Sequence, residues 1–243
     1  AASRDAKLLK KEEASKKRGL HFQRLADFVS SELFGGGLLV FSSLLGNVFN
    51  YLYNAYLGRN LDLADFGTIS LIGSFLYLAS VPFSAIGRSI THKTAYLYGQ
   101  HNHAVKDFWL HVRKHSFKYS LVAGLLWLLL SPLLAQFFRT SSIAPFVIFA
   151  PVWVIGVLSS IDGGYLGGNL RFTSIAILSI VEALSKLVFS VLFVVLGFHD
   201  YVYAAIPLSM GFAFLVQWFL LKRIKTSKLE EKDIKRALSF PKR

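Results

Sequence analysis

The chain has 243 residues, no cysteine, one methionine (Met210) and a net charge of +13, from 27 Lys/Arg against 14 Asp/Glu. It is 53% hydrophobic and 15% aromatic, with a mean hydropathy of +0.48, values that soluble domains rarely reach. Disulfides and thiolate metal sites are therefore excluded, and the basic excess has to be read together with the apolar content before nucleic acid is invoked.

Residues 1–33 form a basic arm too polar for the apolar core of a signal peptide. Within it Phe22, Leu25, Phe28, Val29 and Leu33 have helical spacing. That pattern suits an interfacial helix, and equally a solvated lead-in to the first span. A helix needs about 20 apolar residues to cross the hydrocarbon core. Six stretches qualify, at 34–58, 67–90, 117–138, 144–165, 173–197 and 201–221. The fold class expected is all-α, a polytopic membrane protein with one six-helix lobe over 34–221. The connection 91–116 is too polar to cross, yet it contains Tyr96, Leu97, Val105, Phe108, Trp109 and Val112. It reads as helical extensions of spans two and three. The tail 222–243 is mixed-charge and helix-prone. Five of the six prolines (Pro82, Pro132, Pro145, Pro151 and Pro207) lie in or beside spans. They suit kinked helices that rock between two states, although membrane helices tolerate proline generally.

The cations are distributed unevenly between the two ends of these spans. The arm carries eight (Arg4, Lys7, Lys10, Lys11, Lys16, Lys17, Arg18, Arg24), and the second-to-third connection with its flanks carries six (Arg88, Lys93, Lys106, Arg113, Lys114, Lys118). Arg171 lies in the fourth-to-fifth connection, and nine more follow from Lys222 onward. Thus 24 of the 27 cations fall on one side, against Arg59 and Arg139 on the other. Basic loops mark the cytoplasmic side, so both termini are expected in the cytoplasm of a cell-membrane protein. The charge is then accounted for by topology and anionic lipid, at about 1 kcal/mol per basic residue near the surface, with no nucleic-acid partner required.

Lys186 is the one cation left inside a span, with Glu182 one turn before it. The spacing of four stacks them on one face, either as a self-neutralising pair or as charge facing a water-filled cavity. Ser43, Asn47, Asn50 and Asn54 form one stripe of the first span, which suits interhelical hydrogen bonds or a polar cavity wall. Arg88 closes the second span as an interfacial anchor or a cation at a cavity mouth, where guanidinium geometry suits phosphate. Asp162 precedes Gly163-Gly164 and Gly167-Gly168, glycines expected to allow close helix packing and a tight turn. Asp107, His111 and His115 have helical spacing, with His92, His101 and His103 nearby, but no further ligand pattern accompanies them. No metal or cofactor is expected. Nor is there a nucleophile motif, Walker loop or dinucleotide fingerprint, so a non-enzymatic role is expected.

Several short motifs occur in a fixed order. Tyr53-Asn54-Ala55-Tyr56-Leu57-Gly58-Arg59 is followed by Leu61-Asp62-Leu63-Ala64-Asp65-Phe66-Gly67. Then come Gly164-Tyr165-Leu166-Gly167-Gly168-Asn169-Leu170-Arg171-Phe172 and the Glu182/Lys186 pair. Over roughly 38–223 this resembles the N-terminal six-helix lobe of the polysaccharide (O-antigen-type) flippases, within the MATE-like superfamily of multidrug, oligosaccharidyl-lipid and polysaccharide exporters. Members usually have twelve to fourteen spans in two lobes. The resemblance therefore implies a second lobe, in the same chain or a partner. Ala237-Leu238-Ser239-Phe240-Pro241 resembles the lead-in to a seventh span, and the lack of an initiator methionine fits a processed or partial chain. The implied activity is outward flipping of a polyprenyl-pyrophosphate-linked oligosaccharide through a central cavity by alternating access. Lys186 and Arg88 would hold the pyrophosphate, Asn47, Asn50 and Asn54 would lie near the sugar, and the lipid tail would lie in a portal between lobes. A cation-coupled multidrug exporter of the same fold, or a non-transporting scaffold in glycan synthesis, are the alternatives.

Overall fold

The computed structural model describes residues 35–100 and 104–222. The interfacial helix considered for the arm, the tail with its Phe240-Pro241 segment, and His101 and His103 lie outside these residues. Helix α1 covers 35–60, α2 Leu63–Gln100, α3 Ala104–Phe137, α4 Ala144–Phe149, α5 Pro151–Gly168 and α6 Phe172–Val195. A 3-10 turn, His199–Ala204, leads into α7, Ala205–Lys222. At about 1.5 Å per residue, the 38 residues of α2 and the 34 of α3 exceed what a hydrocarbon core of about 30 Å requires. The two helices run on into the polar region, over 91–100 and 104–116, as its apolar spacing predicts.

Five segments, in α2, α3, α4–α5, α6 and the 3-10 turn with α7, are long and apolar enough to cross a membrane. Their outward faces are apolar: Tyr77, Leu78, Leu129, Leu133, Val195 and Phe219 are all largely exposed. In water so much exposed apolar surface would drive association; hydrocarbon solvates it.

Helix α5 is central, packing against α2, α3 and α7, while α6 packs against α7. Its contact with α2 is made by residues four apart: Gly156, Ser160, Gly164 and Gly168. A Cβ on Gly164 would lie 2.6 Å from the Gly87 carbonyl oxygen, and one on Gly168 would lie 2.4 Å from Thr94 Cβ. At Gly156 the ring of Phe83 occupies the space, 2.2 Å from where a Cβ would be. These are approaches only glycine permits, so the two backbones lie closer than ordinary side chains allow. Two apolar clusters flank the stripe. One contains Leu57, Ile72, Phe83, Phe146, Phe149 and Val202. The other contains Ile90, Leu97, Phe108, Trp109, Ile161 and Leu166.

The glycine pairs supply the close packing expected of them, but not the turn. Helix α5 ends with Leu170 in the left-handed region (φ 57°), closed by Arg171 N–H to Leu166 O and Leu170 N–H to Gly167 O. Helices α3 and α6 end in the same way, at Arg139 (φ 49°) and Gly197 (φ 79°). This double bond to the last turn satisfies carbonyls that the helix ends leave open.

The prolines act differently from one another. Helices α2 and α3 continue through Pro82 and Pro132. The fourth span instead breaks at Ala150, because Pro151 has no N–H to continue the ladder. Ala150 N–H turns to Val147 O, and the Phe146 carbonyl accepts the Trp127 indole N–H of α3 at 2.8 Å.

Gly164→Ala is expected to destabilise the protein by about 1–3 kcal/mol, because the overpacked backbone has to move. It would appear as a lowered unfolding midpoint in detergent. Gly36→Ala, where nothing lies within 4 Å of the new carbon, is expected to leave that midpoint unchanged. Leu170→Gly relieves a left-handed leucine and is expected to raise stability by up to about 1 kcal/mol in the same assay.

Candidate functional site

Helices α1 and α6 meet where both carry small side chains: a Cβ on Gly46 would lie in ordinary contact, 3.6 Å from Ser179 Oγ and 3.9 Å from Ala183 Cβ. Between them opens a cleft of about 220 Å³ lined by Ser43, Asn47, Asn50, Ser179, Glu182 and Lys186. A second cavity of about 610 Å³ lies between α1, α2 and the start of α7, lined by Tyr53, Asn54, Ser70, Ser74, Tyr77 and Lys186 among others. Lys186 lines both. The structure thus brings Asn47, Asn50, Glu182 and Lys186 together and places Asn54 on the adjoining cavity.

The surroundings of Lys186 explain how a cation is held in an apolar helix. Its Nζ donates to Asn50 Oδ1 and lies 4.8 Å from the centroid of the Tyr53 ring, whose π face attracts cations. No ion pair joins it to Glu182. The self-neutralising pair allowed by their spacing is replaced by a longer-range electrostatic contact along the helix, because the ammonium turns to α1 instead. An ammonium has three donors, and Asn50 takes one of them. Asn54 donates to the Asn50 backbone carbonyl at 2.9 Å, which orders the stripe locally.

Tyr53 was not singled out from the sequence as a site residue. It is buried, and its hydroxyl has no hydrogen-bond partner among the described residues. The signal available was its position three residues after Asn50, on the turn that faces Lys186.

Arg88 is not part of this arrangement. It is exposed on α2 and lines neither cavity. It lies 14 residues beyond Ser74, about 21 Å along the helix axis.

A second polar cluster ties α3 to α5. Asp162 is fully buried inside α5, which continues past it to Gly168. Its Oδ1 accepts the Trp109 indole N–H at 2.7 Å, and its Oδ2 lies 3.3 Å from Arg113 Nη2. The guanidinium also lies over Trp109 (5.4 Å) and Phe214 of α7 (5.7 Å). One ion pair thus joins three helices. Nearby, His115 Nδ1 pairs with the His111 backbone carbonyl at 2.9 Å, and among the described residues no three His, Asp or Glu side chains come together as a metal site.

This arrangement, apolar helices around a polar interior that holds a cation, is that of a multi-pass membrane protein with a solute-sized cavity. A solved structure shares the helical fold. A MOP superfamily transporter from Pyrococcus furiosus superposes with a TM-score of 0.61 at 19% identity, over 81% of this chain and 47% of its own. That protein's binding pocket is described as of reverse polarity, suggesting a different function. The chain therefore spans about half the length of the transporter whose fold it shares. The model of the polysaccharide biosynthesis protein family matches residues 56–243, and the chain belongs to that family. No curated protein matches the sequence. The MATE-like polysaccharide family suggested by the Asp65-Phe66-Gly67 and Gly164–Phe172 motifs is thus the one found.

Asp162→Asn keeps a partner for Trp109 but leaves Arg113 without its counter-charge. We expect a loss of about 2 kcal/mol, moderated by the partial exposure of Arg113. Part of the loss should be recovered in the Asp162→Asn/Arg113→Met double variant, measured as detergent unfolding midpoints of all four proteins in a cycle.

Proposed function

We propose that residues 34–221 form a six-helix transmembrane lobe of a flippase. It would move polyprenyl-pyrophosphate-linked oligosaccharide outward across the cytoplasmic membrane by alternating access. Family membership supports the glycan substrate. The likeness over 47% of a MOP transporter fits one lobe of a two-lobed protein, with the second lobe in the same chain or a partner. The basic residues of the arm, the 91–116 connection and the tail support a cytoplasmic location for both termini.

The observation that carries this reading is Lys186, which lines two adjoining cavities and is held by Asn50 and Tyr53 instead of a carboxylate. A cation kept in an apolar span without an ion-pair partner is suited to an anion from the cavity. Lys186 holds the pyrophosphate, and Asn47, Asn50 and Asn54 supply amide donors and acceptors toward the sugar. Glu182 tunes the local charge. Arg88, at the cytoplasmic end of the second span, meets the pyrophosphate at the cavity mouth, and the lipid tail passes between lobes. In the complete protein, Lys186→Ala is expected to reduce lipid-linked oligosaccharide translocation in proteoliposomes by at least tenfold, and Lys186→Arg to retain much of it. Full transport by Lys186→Ala would remove the role assigned here.

A cation-coupled exporter is the second reading. It is favoured by one feature: Glu182 lines the cleft without an ion-pair partner. Transport that collapses with the sodium or proton gradient and is lost in Glu182→Gln, while Lys186→Ala still transports, would select it.

A further inference from the structure

Helices α3 and α7 both pack on α5 but barely touch each other, so they flank a crevice whose floor is α5. One side chain crosses it. The Arg113 guanidinium of α3 lies over the Trp109 ring at 5.4 Å and over the Phe214 ring of α7 at 5.7 Å. Asp162 of α5 approaches it from below, Oδ2 to Nη2 at 3.3 Å, yet Asp162 Oδ2 takes part in no hydrogen bond. The five N–H donors of this guanidinium thus meet no hydrogen-bond acceptor among the described residues. The side chain is 23% exposed, and its nitrogens are open to the crevice instead of sealed inside the protein.

Helical spacing carries both walls toward the basic end of the bundle. On α3, Lys106 lies seven residues before Arg113, on the same side. On α7, Trp218 and Lys222 follow Phe214 at steps of four. The Lys222 ammonium lies 3.4 Å from the centroid of the Trp218 ring, which is itself 38% exposed. At about 1.5 Å per residue, both lysines stand roughly 11 Å beyond the level of Arg113. In the opposite direction Phe117 and Leu121 follow Arg113 at steps of four, and both are exposed.

We infer that this crevice holds one anionic phospholipid of the surrounding membrane. Its phosphate sits on Arg113, its headgroup between Lys106 and Lys222, and an acyl chain along Phe117 and Leu121. A guanidinium presents a planar fork that matches phosphate oxygens, and hydrogen bonds between charged groups are the strong ones. Basic pockets between membrane helices hold anionic headgroups, and tryptophan belongs at that interfacial level. The two kinds of cation divide the task. Asp162 already balances the Arg113 charge, so the guanidinium supplies donors to the phosphate that any phospholipid carries. Lys106 and Lys222 select a headgroup with net negative charge. A free anion would gain the phosphate contacts but nothing from Phe117 and Leu121. None of these residues lines the Lys186 cavities, and the inference rests only on the bundle lying in a membrane, not on the flippase reading.

The test is native mass spectrometry of the full chain, purified in detergent and offered phosphatidylglycerol and phosphatidylcholine in equal amounts. Retention of one phosphatidylglycerol in preference to phosphatidylcholine is expected. It should fall roughly twentyfold in Lys106→Gln/Lys222→Gln, at about fivefold for each basic residue near a headgroup. It should also fall in Asp162→Asn/Arg113→Met, which removes the guanidinium without stranding a buried carboxylate; if that variant does not fold, the lysine pair decides. Arg171→Gln, which removes an exposed cation of the α5–α6 turn outside the crevice, should retain the lipid as the unaltered chain does. Equal retention of the two lipids overturns the proposal. So does retention that survives loss of both lysines, or an equal fall in Arg171→Gln, which would mean diffuse surface attraction. Inorganic phosphate that displaces the lipid at matching concentration would identify a free-anion site and overturn it too. None of these outcomes bears on translocation by Lys186→Ala in proteoliposomes, so the two readings fail separately.

Discussion

The close approach of α2 and α5 is the constraint on which the rest of the bundle depends. Gly156, Gly164 and Gly168 present no side chain where Phe83, the Gly87 carbonyl and Thr94 lie against them. In lipid, apolar surface gains nothing from leaving the solvent, so helices associate through close packing and hydrogen bonds. A side chain at these positions would separate the backbones and with them both apolar clusters that flank the stripe. The separation would propagate, because α5 also touches α3 and α7.

The polar contacts occur where that packing already holds helices in place. Asp162, buried in α5, takes a hydrogen bond from Trp109 and an ion pair from Arg113, both of α3, and the Arg113 guanidinium covers Phe214 of α7. In the preceding helix, α4, the Phe146 carbonyl freed by the break at Ala150 is satisfied by Trp127. In both cases a helix irregularity or a buried charge is satisfied by a tryptophan from α3, a residue with one donor and a large apolar body. Lys186 is solved differently. Its ammonium is met by an amide and an aromatic face from α1, an arrangement that stabilises the charge without cancelling it. That difference separates the structural ion pair from the candidate site, although both are charges within apolar helices.

Much of the fold was legible in the sequence. Each of the six apolar stretches falls on observed helical segments, and all but the first lie in segments long and apolar enough to cross a membrane; α2 and α3 reach well beyond their stretches, where Tyr96, Leu97, Phe108 and Trp109 have helical spacing. The Asn47–Asn50–Asn54 stripe and Lys186 were legible as candidates because polar residues in apolar helices are few. The details were less so. The turn after α5 is made by Leu170 and not by the glycines beside it, because the glycines are used in packing. The Glu182–Lys186 spacing permits a pair, but spacing along one helix says nothing of what the neighbouring helix offers.

By itself, then, the sequence determined that this is an all-helical membrane chain, where its helices lie, and which family its motifs belong to. These properties follow from local composition and periodicity and from the short-range order of charges. Only the tertiary structure decided which glycines are contacts, that Asp162 belongs to Arg113, that Lys186 turns to Asn50 and Tyr53, and that Arg88 stands apart. Such pairings are set by distances of a few ångströms between helices far apart in the chain, a quantity that no one-dimensional pattern contains.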